Sequence, residues 1–257
     1  MIDTHCHLDA TEFDADRAEV VARALALGVE RIIVPAVSAH NFAAVKTTCA
    51  TYPQCLPALG LHPIFAMQHQ PEDLSALRSA VVAERPVAIG EIGLDMFVRD
   101  VDMTQQLYYF AEQLKIAGEF DLPVLLHSRR ANDEVMQQLR RFNIHRGIAH
   151  AFSGSTQQAE AFIKQGFKLG FGGAMTYPRA TNLHKLAAEL PLGSIVLETD
   201  APDMSPIWAH GQRNSPEYIP QIAQVLADLR GVPLATIIQA TTQNARAVFN
   251  EDRAWQI

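Results

Sequence analysis

Cysteine is scarce in this chain, which argues against a disulfide-stabilised domain and against a zinc finger. Three cysteines occur among 257 residues, and they have neither the number nor the spacing of a disulfide framework or a paired zinc finger. We therefore expect a reducing, cytoplasmic setting. Long apolar runs are also missing, since none approaches the roughly 20 residues that span a bilayer. We expect no membrane partner, and no obligate protein partner is evident.

An excess of positive charge is missing as well. Lysine and arginine number 21 against 28 aspartates and glutamates, which gives a formal net charge of -7. This balance argues against a basic groove that holds many phosphates of a long nucleic acid. It remains compatible with a small phosphoester end, because bound metal cations locally reverse the sign of the field.

Strand-like and helix-like patterns alternate from end to end, without a linker, a low-complexity tract or a compositional break. We therefore expect one domain over residues 1–257. Candidate strands end near His7, Pro35, His62, Glu91, His127, His150, Gly172 and Asp200. Amphipathic patterns predict helices over 14–27, 41–51, 75–83, 103–120, 133–142, 156–165, 183–189, 216–230 and 233–249.

This alternation predicts a parallel sheet, and eight units with right-handed crossovers predict a closed (β/α)8 TIM barrel in the α/β class. An open, doubly wound sheet is the alternative. We favour the barrel because polar side chains after the first and the last strand meet most readily when the sheet closes on itself.

Metal-binding side chains stand at the ends of several candidate strands. His5 and His7 are two residues apart, so in an extended chain both face one side while Cys6 faces the other. Four more side chains follow runs typical of strands buried on both faces, namely Glu91, His127, His150 and Asp200. Because the C-terminal ends of barrel strands share one rim, these six residues predict a metal site there.

Four imidazoles with two carboxylates favour zinc and also accept manganese, nickel or cobalt, whereas magnesium prefers an oxygen-rich shell. Six ligands exceed the needs of one catalytic zinc, so we predict two divalent ions with Glu91 between them. One ion is assigned to His5, His7, Glu91 and Asp200, and the other to Glu91, His127 and His150. A water held there would lose a proton near neutral pH and attack phosphorus or a carbonyl, and Asp200 would take or orient that proton.

Further side chains are candidates for binding substrate. His62 either caps a turn or donates a hydrogen bond to a phosphate oxygen or a leaving alkoxide. Arg129, two residues after His127, either clamps a phosphate or forms a salt bridge with Asp95 or Glu198. Arg213 either reaches a second phosphate or is solvated.

Supporting roles are predicted for a second set of polar residues. Glu198 and Asp95 would orient ligand histidines. Ser153 offers a loop hydroxyl, although turn chemistry alone explains its glycine-containing segment. Loop aromatics either stack on a base or simply pack, and these are Phe65, Phe97 and Tyr177. The remaining histidines are interpreted as surface residues, and these are His40, His69, His145, His184 and His210.

With these residues in hand, the chain resembles the TatD family of metal-dependent deoxyribonucleases, especially its YjjV-type branch. Six ordered motifs carry the likeness: Thr4-His5-Cys6-His7-Leu8, Gly60-Leu61-His62-Pro63, Gly90-Glu91-Ile92-Gly93-Leu94-Asp95, Leu126-His127-Ser128-Arg129, His150 with Phe152-Ser153-Gly154, and Leu197-Glu198-Thr199-Asp200-Ala201-Pro202. The resemblance implies a TIM barrel of the amidohydrolase superfamily, phosphodiester hydrolysis and the same six metal ligands. Two departures concern the nucleotide pocket: Met96 replaces a frequent aromatic residue, and Ala151 replaces a frequent cysteine.

The leading hypothesis is a hydrolase that cleaves DNA phosphodiesters, as an exonuclease on single-stranded ends, with a DNA end or nucleotide phosphoester as substrate. An amidohydrolase-type enzyme for a small amide, lactone or phosphoester is the alternative, because the same ligands can polarise a carbonyl. A third hypothesis is a metal-binding protein with a structural or partner-binding role. Arg129 and His62 favour the phosphate substrate.

Overall fold

The computed structural model describes residues 1–98 and 102–250, and in it eight strands form one parallel sheet in sequence order. The strands β1 to β8 span Ile2–Asp3, Arg31–Pro35, Cys55–Leu59, Ala88–Asp95, Val124–Arg129, Gly147–Ala149, Phe167–Phe171 and Ile195–Leu197. The helices α1 to α9 span Arg17–Ala26, Phe42–Thr51, Pro71–Glu84, Met103–Phe120, Asn132–Arg141, Thr156–Lys164, Thr181–Glu189, Ile219–Arg230 and Leu234–Phe249. Within these ranges, no helix combines the length and the hydrophobicity that a membrane span requires.

The two ends of the sheet meet and close it into a barrel. The backbone N–H of Thr4 donates to the Leu197 carbonyl at 3.1 Å, and that of Asp200 donates to the His5 carbonyl at 2.8 Å. Every neighbouring pair of strands is parallel, and the order runs from β1 to β8 without reversal. This confirms the predicted TIM barrel and excludes the open doubly wound sheet, in which the strand order reverses.

A buried carboxylate, Asp3, reinforces this closure. Its Oδ1 accepts hydrogen bonds from the backbone N–H of Thr199 at 2.9 Å and of His5 at 3.3 Å. Its Oδ2 accepts the Thr199 hydroxyl at 2.6 Å. Asp3 therefore links the segment that carries His5 to the segment that carries Asp200, a role that was not predicted from the sequence.

Side chains alternate along the strands between the barrel interior and the outer helices. The interior cluster takes residues from most strands, including Ile2, Ile33, Leu56, Ala58, Ala88, Leu125, Ile148 and Val196. Ala245, Val248 and Phe249 of α9 belong to the same cluster. Since Asn244 donates to the carbonyl of Ile195, the first residue of β8, α9 covers the end of the barrel where strands begin. The opposite end is left for polar side chains.

The predicted helices lie within a few residues of the observed ones, but the strand ends differ. β4 and β5 run past Glu91 and His127 to Asp95 and Arg129, with a register shift between Ile89 and Ile92. β1 and β8, in contrast, stop before His7 and Asp200. The two strands therefore end three to four residues earlier than predicted, and the φ of 60° at Asp200 shows that the chain turns at that residue.

Two buried glutamines on α4 hold the chain at the rim. Gln113 accepts a hydrogen bond from the Leu61 N–H at 2.6 Å and donates to the Leu61 carbonyl at 3.0 Å. Gln106 makes the same pair of bonds with the backbone of Asp95, at 2.7 and 2.9 Å. The two glutamines are seven residues apart, so they share one face of the helix. They fix the backbone beside His62 and at the end of β4.

We expect Gln113→Ala to lower the free energy of unfolding by about 2–4 kcal/mol, because it leaves two buried backbone groups without partners. Chemical denaturation followed by circular dichroism measures the change. The matched control is Gln105→Ala on the exposed side of the same helix, which should stay within about 0.5 kcal/mol of the parent. Equal stability of the two variants would show that Leu61 finds other partners.

Candidate metal centre

The carboxylate of Glu91 lies at the middle of a buried polar cluster at the C-terminal rim of the barrel. Its Oε2 is 3.1 Å from the Nε2 of His5 and 3.5 Å from the Nε2 of His7. Asp200 faces the same two imidazoles, with its Oδ1 3.7 Å from His5 and 3.6 Å from His7. Closure of the barrel thus brings the residues after β1 and β8 to one side of Glu91.

The other oxygen of Glu91 faces three further imidazoles. Its Oε1 is 2.9 Å from the Nδ1 of His127, 3.2 Å from the Nε2 of His62 and 3.5 Å from the Nε2 of His150. The six residues predicted as metal ligands are therefore all in one cluster, and His62 joins them. Glu91 separates two sets of nitrogen atoms, the position expected of a ligand shared by two ions.

Three groups of ligand atoms are compact enough to hold an ion, with all atoms of a group within 4.8 Å of one another. They are His5 with His7 and Asp200, His5 with Glu91 and His150, and His62 with Glu91 and His127. The His150 ring stacks on His5, with centroids 3.8 Å apart, and lies 6.3 Å from His127. The assignment of His150 to the same ion as His127 therefore stays a prediction.

The second ring nitrogen shows which nitrogen of an imidazole is available to a metal ion. His7 Nδ1 lies 3.2 Å from the Pro35 carbonyl, an acceptor, so a neutral His7 ring keeps its proton on Nδ1 and has the Nε2 lone pair available for an ion. His127 Nε2 lies 2.9 Å from Asp95 Oδ2, so a neutral His127 ring keeps its proton on Nε2 and has the Nδ1 lone pair available for an ion. Asp95 also accepts the N–H groups of Phe97 and Val98. Burial would raise the pKa of Asp95, but its bonds with His127, Val98 and Phe97 outweigh burial and lower that pKa to about 2. Asp95 is an ionised acceptor that orients His127.

Glu198 lies close to the second ring nitrogen of His150, without a well-aligned hydrogen bond to it. The Nδ1 of His150 faces Glu198 Oε1 at 3.3 Å, while its Nε2 faces Glu91. The same Glu198 oxygen accepts the backbone N–H of Ala151 at 2.5 Å. Gly170 is required here, because a Cβ at that position would collide with the Glu198 carboxylate.

His62 differs from the other four imidazoles. It caps the short 3-10 helix Pro63–Phe65, and its Nδ1 accepts the backbone N–H of Ile64 at 3.1 Å. An accepting Nδ1 places the proton on Nε2, which points at Glu91 Oε1. The capping role weighed from the sequence is confirmed, and the Nε2–H makes His62 a hydrogen-bond donor toward the centre of the cluster.

Charges in the cluster are strongly coupled. Burial alone would raise the pKa of Glu91, but the imidazoles of His62, His5 and His150 outweigh burial and hold that pKa well below 4.5. Burial lowers the pKa of His5. Glu91 therefore carries a full negative charge in a nearly dry environment, which a cation would balance.

Neighbouring carboxylates raise the pKa values of two histidines, against the effect of burial. Burial would lower the pKa of His7 and of His150, but Glu91 and Asp200 raise the former to about 9, and Asp200 and Glu198 raise the latter to about 10. Burial raises the pKa of Asp200 to about 6, despite His150 and His7. In the absence of an ion, protons on His7 and His150 thus balance the carboxylates.

The donor set fits divalent ions. Four imidazole nitrogens and two carboxylates share one buried space, and the second nitrogens of His7, His127 and His150 face a carbonyl or a carboxylate. Such outer partners orient metal-binding imidazoles and raise their basicity. Nitrogen-rich sets of this kind suit zinc and its neighbours. The cluster is able to hold metal ions.

The remaining predicted residues lie around the rim. The Arg129 guanidinium rests on the Phe97 ring. Among the described residues it pairs with neither Asp95 nor Glu198, which face His127 and His150. The salt bridge considered from the sequence is therefore wrong. Ser153 is exposed and its carbonyl accepts the Asn132 amide at 2.9 Å.

Arg213 lies at the same end of the barrel but faces away from the cluster. Its guanidinium forms two bonds with the Asp16 carboxylate, both 2.7 Å long, and also lies over the Phe13 ring. Arg213 is therefore not the solvated residue that one prediction described, and its guanidinium is not free to bind a phosphate. Binding of a phosphate by Arg213 stays a prediction, and it would require the release of Asp16.

One histidine interpreted as a surface residue is buried. His69 has 6% of its surface exposed, its Nε2 lies 3.0 Å from the His62 carbonyl, and its own carbonyl accepts the Tyr109 hydroxyl at 2.7 Å. The surface interpretation was wrong because the turn that carries His69 folds back onto α4. His69 supports the backbone of His62 from behind.

Comparisons with known proteins agree with this geometry. The family described as "TatD related DNase" matches residues 2–250. An Escherichia coli (strain K12) protein named "Uncharacterized metal-dependent hydrolase YjjV" is 46% identical over 253 residues, covering 97% of each chain. An Erwinia tasmaniensis protein named "3'-5' ssDNA/RNA exonuclease TatD" is 32% identical over 259 residues, covering 97% of this chain and 100% of that protein.

A solved structure shares the whole architecture. The crystal structure of YjjV, a TatD homolog from Escherichia coli K12, superposes with a TM-score of 0.94 at 44% identity. The match covers 97% of this chain and 98% of that chain. Sequence and fold therefore point to the same group of proteins.

The proton positions predict which histidines bind metal. We expect His127→Ala to lose at least one ion, whereas His62→Ala should keep the metal content of the parent, because the His62 Nε2 carries a proton and its Nδ1 accepts from Ile64. Elemental analysis of the two purified variants, reloaded under identical conditions, measures the content. A loss of metal in His62→Ala equal to that in His127→Ala would contradict the assignment of His62 as a donor.

Metal binding should also release protons. At pH 7 the ion-free protein carries protons on His7 and His150, whose pKa values are about 9 and about 10, and a metal ligand must be a neutral imidazole. We therefore expect release of about two protons at pH 7 and tighter binding as the pH rises toward 9. Calorimetric titration in two buffers of different ionisation enthalpy measures the release. Identical heats in both buffers would contradict it.

Proposed function

Because this chain belongs to the TatD family of metal-dependent hydrolases, we propose that it cleaves phosphodiester bonds of DNA as an exonuclease on single-stranded ends. The observation that carries the proposal is the position of Glu91, whose two oxygens face separate sets of imidazoles. The name of the Erwinia tasmaniensis relative, an exonuclease on single-stranded DNA and RNA, supports it. The proposal treats 1–257 as one domain that acts in the cytoplasm without a membrane or an obligate protein partner.

Two divalent ions are part of the proposal, with zinc favoured and manganese, magnesium, nickel or cobalt as alternatives. His5, His7, His127, His150, Glu91 and Asp200 would hold them, as the compact groups of ligand atoms suggest. Bound ions would neutralise the phosphate charge and lower the pKa of a water molecule to near neutrality. The protein itself supplies the orientation of ligands through Asp95 and Glu198.

The proton transfers are assigned to two side chains that face the cluster. Asp200 is partly buried beside His5 and His7, and its carboxylate would accept a proton from the attacking water at Oδ1. His62 presents Nε2–H to the same space and would donate it to a phosphate oxygen or to the leaving alkoxide. Glu91 would fix the relative positions of the two histidine sets.

The space beside Asp200 suits the end of a strand. A cavity of about 210 Å³ is lined by Glu198, Asp200, Ser153 and the glycine-rich segment that follows β7. This is smaller than the about 300–1,000 Å³ of pockets that hold drug-sized ligands. It would accept one terminal group rather than a continuing strand, and Ser153 stays a proposed contact at its edge.

The test uses metal-stripped protein reloaded with zinc, manganese or magnesium. End-labelled single-stranded DNA and a panel of small esters, lactones and phosphoesters are incubated with each form. Metal-dependent shortening of DNA in single-nucleotide steps is the expected result. Intact DNA together with turnover of a small amide, lactone or phosphoester would replace the proposal with the amidohydrolase-type alternative.

We expect Asp200→Asn to lower kcat on DNA by about 100- to 10,000-fold, because an amide cannot accept the proton. The matched control is Asp203→Asn, an exposed position in the same loop, which should leave kcat within about twofold. Steady-state kinetics with metal content measured for each variant separates proton transfer from metal loss. Full activity of Asp200→Asn would contradict the assigned role.

A further inference from the structure

An exposed aromatic ring stands at the rim with two cations on it. Phe97 follows β4 and has 45% of its surface exposed. The guanidinium carbon of Arg129 lies 3.8 Å from the centroid of this ring, and that of Arg130 lies 4.6 Å from it. Both distances are within the range of cation–π attraction. The ring is therefore in contact with two positive charges.

The ring is fixed to the candidate metal centre by short contacts. The Phe97 N–H donates to Asp95 Oδ1 at 2.8 Å, and the other oxygen of Asp95 lies 2.9 Å from His127 Nε2. The N–H of Met96 donates to the Arg129 carbonyl at 2.9 Å, which joins the two segments that carry the ring and the cations. The position of Phe97 is thus tied to a predicted metal ligand.

The two cations lack an anionic partner in the part of the chain that the structure describes. Neither Arg129 nor Arg130 has a carboxylate oxygen within 4.0 Å among residues 1–98 and 102–250, whereas Arg213 and Arg23 on the same chain are paired with Asp16 and Glu217. Two like charges that contact one ring repel each other, and a bound anion would reduce that repulsion. The chain carries a net charge of -7, so this local excess of positive charge is a specific feature.

We propose that Phe97, Arg129 and Arg130 form a second phosphate subsite, which binds a phosphate of a single-stranded nucleic acid at a nucleotide beyond the bond that is cleaved. The proposal rests on the proposed phosphodiesterase function and adds Phe97 and Arg130 to the residues that contact substrate. Guanidinium groups bind phosphate through paired N–H donors, and the ring holds their planes in place before the substrate arrives. Arg129 is thereby assigned to this outer phosphate rather than to the scissile one.

The test compares a substrate that reaches the subsite with one that does not. A single-stranded thymidine oligonucleotide carries several phosphates, whereas thymidine 5′-p-nitrophenyl phosphate offers a single phosphodiester. We expect Arg130→Asn and Phe97→Ala each to raise KM for the oligonucleotide about tenfold and to leave kcat/KM for the nitrophenyl ester within about twofold. Asparagine is chosen because Arg130 has a φ of 56°, which asparagine accepts.

Salt dependence gives a second measurement on the same variants. For single strands the slope of log affinity against log salt becomes shallower by about 0.7 for each phosphate that the protein no longer neutralises. Binding of the oligonucleotide by Arg130→Asn, measured with calcium in place of the working ion, should show a slope smaller by that amount. An unchanged slope would contradict binding of a phosphate at Arg130.

The matched control is Arg141→Ala. Arg141 is also exposed and lies 5.2 Å from the centroid of the Phe142 ring, but it ends α5 at the opposite end of the barrel. It should leave KM for both substrates unchanged. An effect of Arg130→Asn that is equal for both substrates, or absent for both, would overturn the subsite while leaving the phosphodiesterase function intact. A parent protein inactive on both substrates would instead overturn the proposed function.

Discussion

The contact between the first and the last strand is the constraint on which the candidate site depends. Asp3 and Thr199 are 196 residues apart in sequence, yet the carboxylate of Asp3 accepts both the N–H and the hydroxyl of Thr199. Two residues beyond Asp3 stands His5, and one residue beyond Thr199 stands Asp200. Each short bond across the closure therefore fixes the distance between these two side chains, and the cluster around Glu91 forms only in a closed barrel.

Within the cluster, the partner of the second ring nitrogen decides what each imidazole can do. In a neutral ring, a carbonyl or carboxylate partner keeps the proton on the outer nitrogen and leaves the inner lone pair available for an ion, as at His7 and His127. A backbone N–H has the opposite effect at His62, where it leaves a proton pointing inward. Contacts that lie outside the cluster thus support the proposal of His7 and His127 as ligands and of His62 as a donor.

An acidic protein can act on an anionic substrate when positive charge is confined to the place of binding. The formal charge of -7 is a sum over the whole sequence, and several arginines are paired with acidic residues, as Arg213 is with Asp16 and Arg23 with Glu217. The rim beside β4 and β5 is different, because Arg129 and Arg130 share the ring of Phe97 there. Screening limits the influence of distant charges to about 8 Å in physiological salt, so the local pair outweighs the net charge.

The sequence by itself was sufficient for the architecture and for the six residues of the cluster. Alternating patterns predicted a barrel because each βα unit leaves its own periodicity in the chain, and the spacing of His5 and His7 placed two imidazoles on one side by strand geometry alone. The resemblance to a family suggested the reaction that we propose. The ends of β1 and β8 were misplaced because local patterns do not show where the chain turns toward a distant partner.

Roles that depend on neighbours distant in sequence were decided by the tertiary structure. The burial of His69, the reversed proton of His62, the ion pair of Arg213 and the function of Gln106 and Gln113 all come from contacts between elements. A side chain in a sequence shows which atoms it can offer, and the sequence therefore determined the chemistry available to this protein. Only folding determines which donor or acceptor meets each atom, because hydrogen bonds act over about 3 Å and their partners come from separate strands and helices.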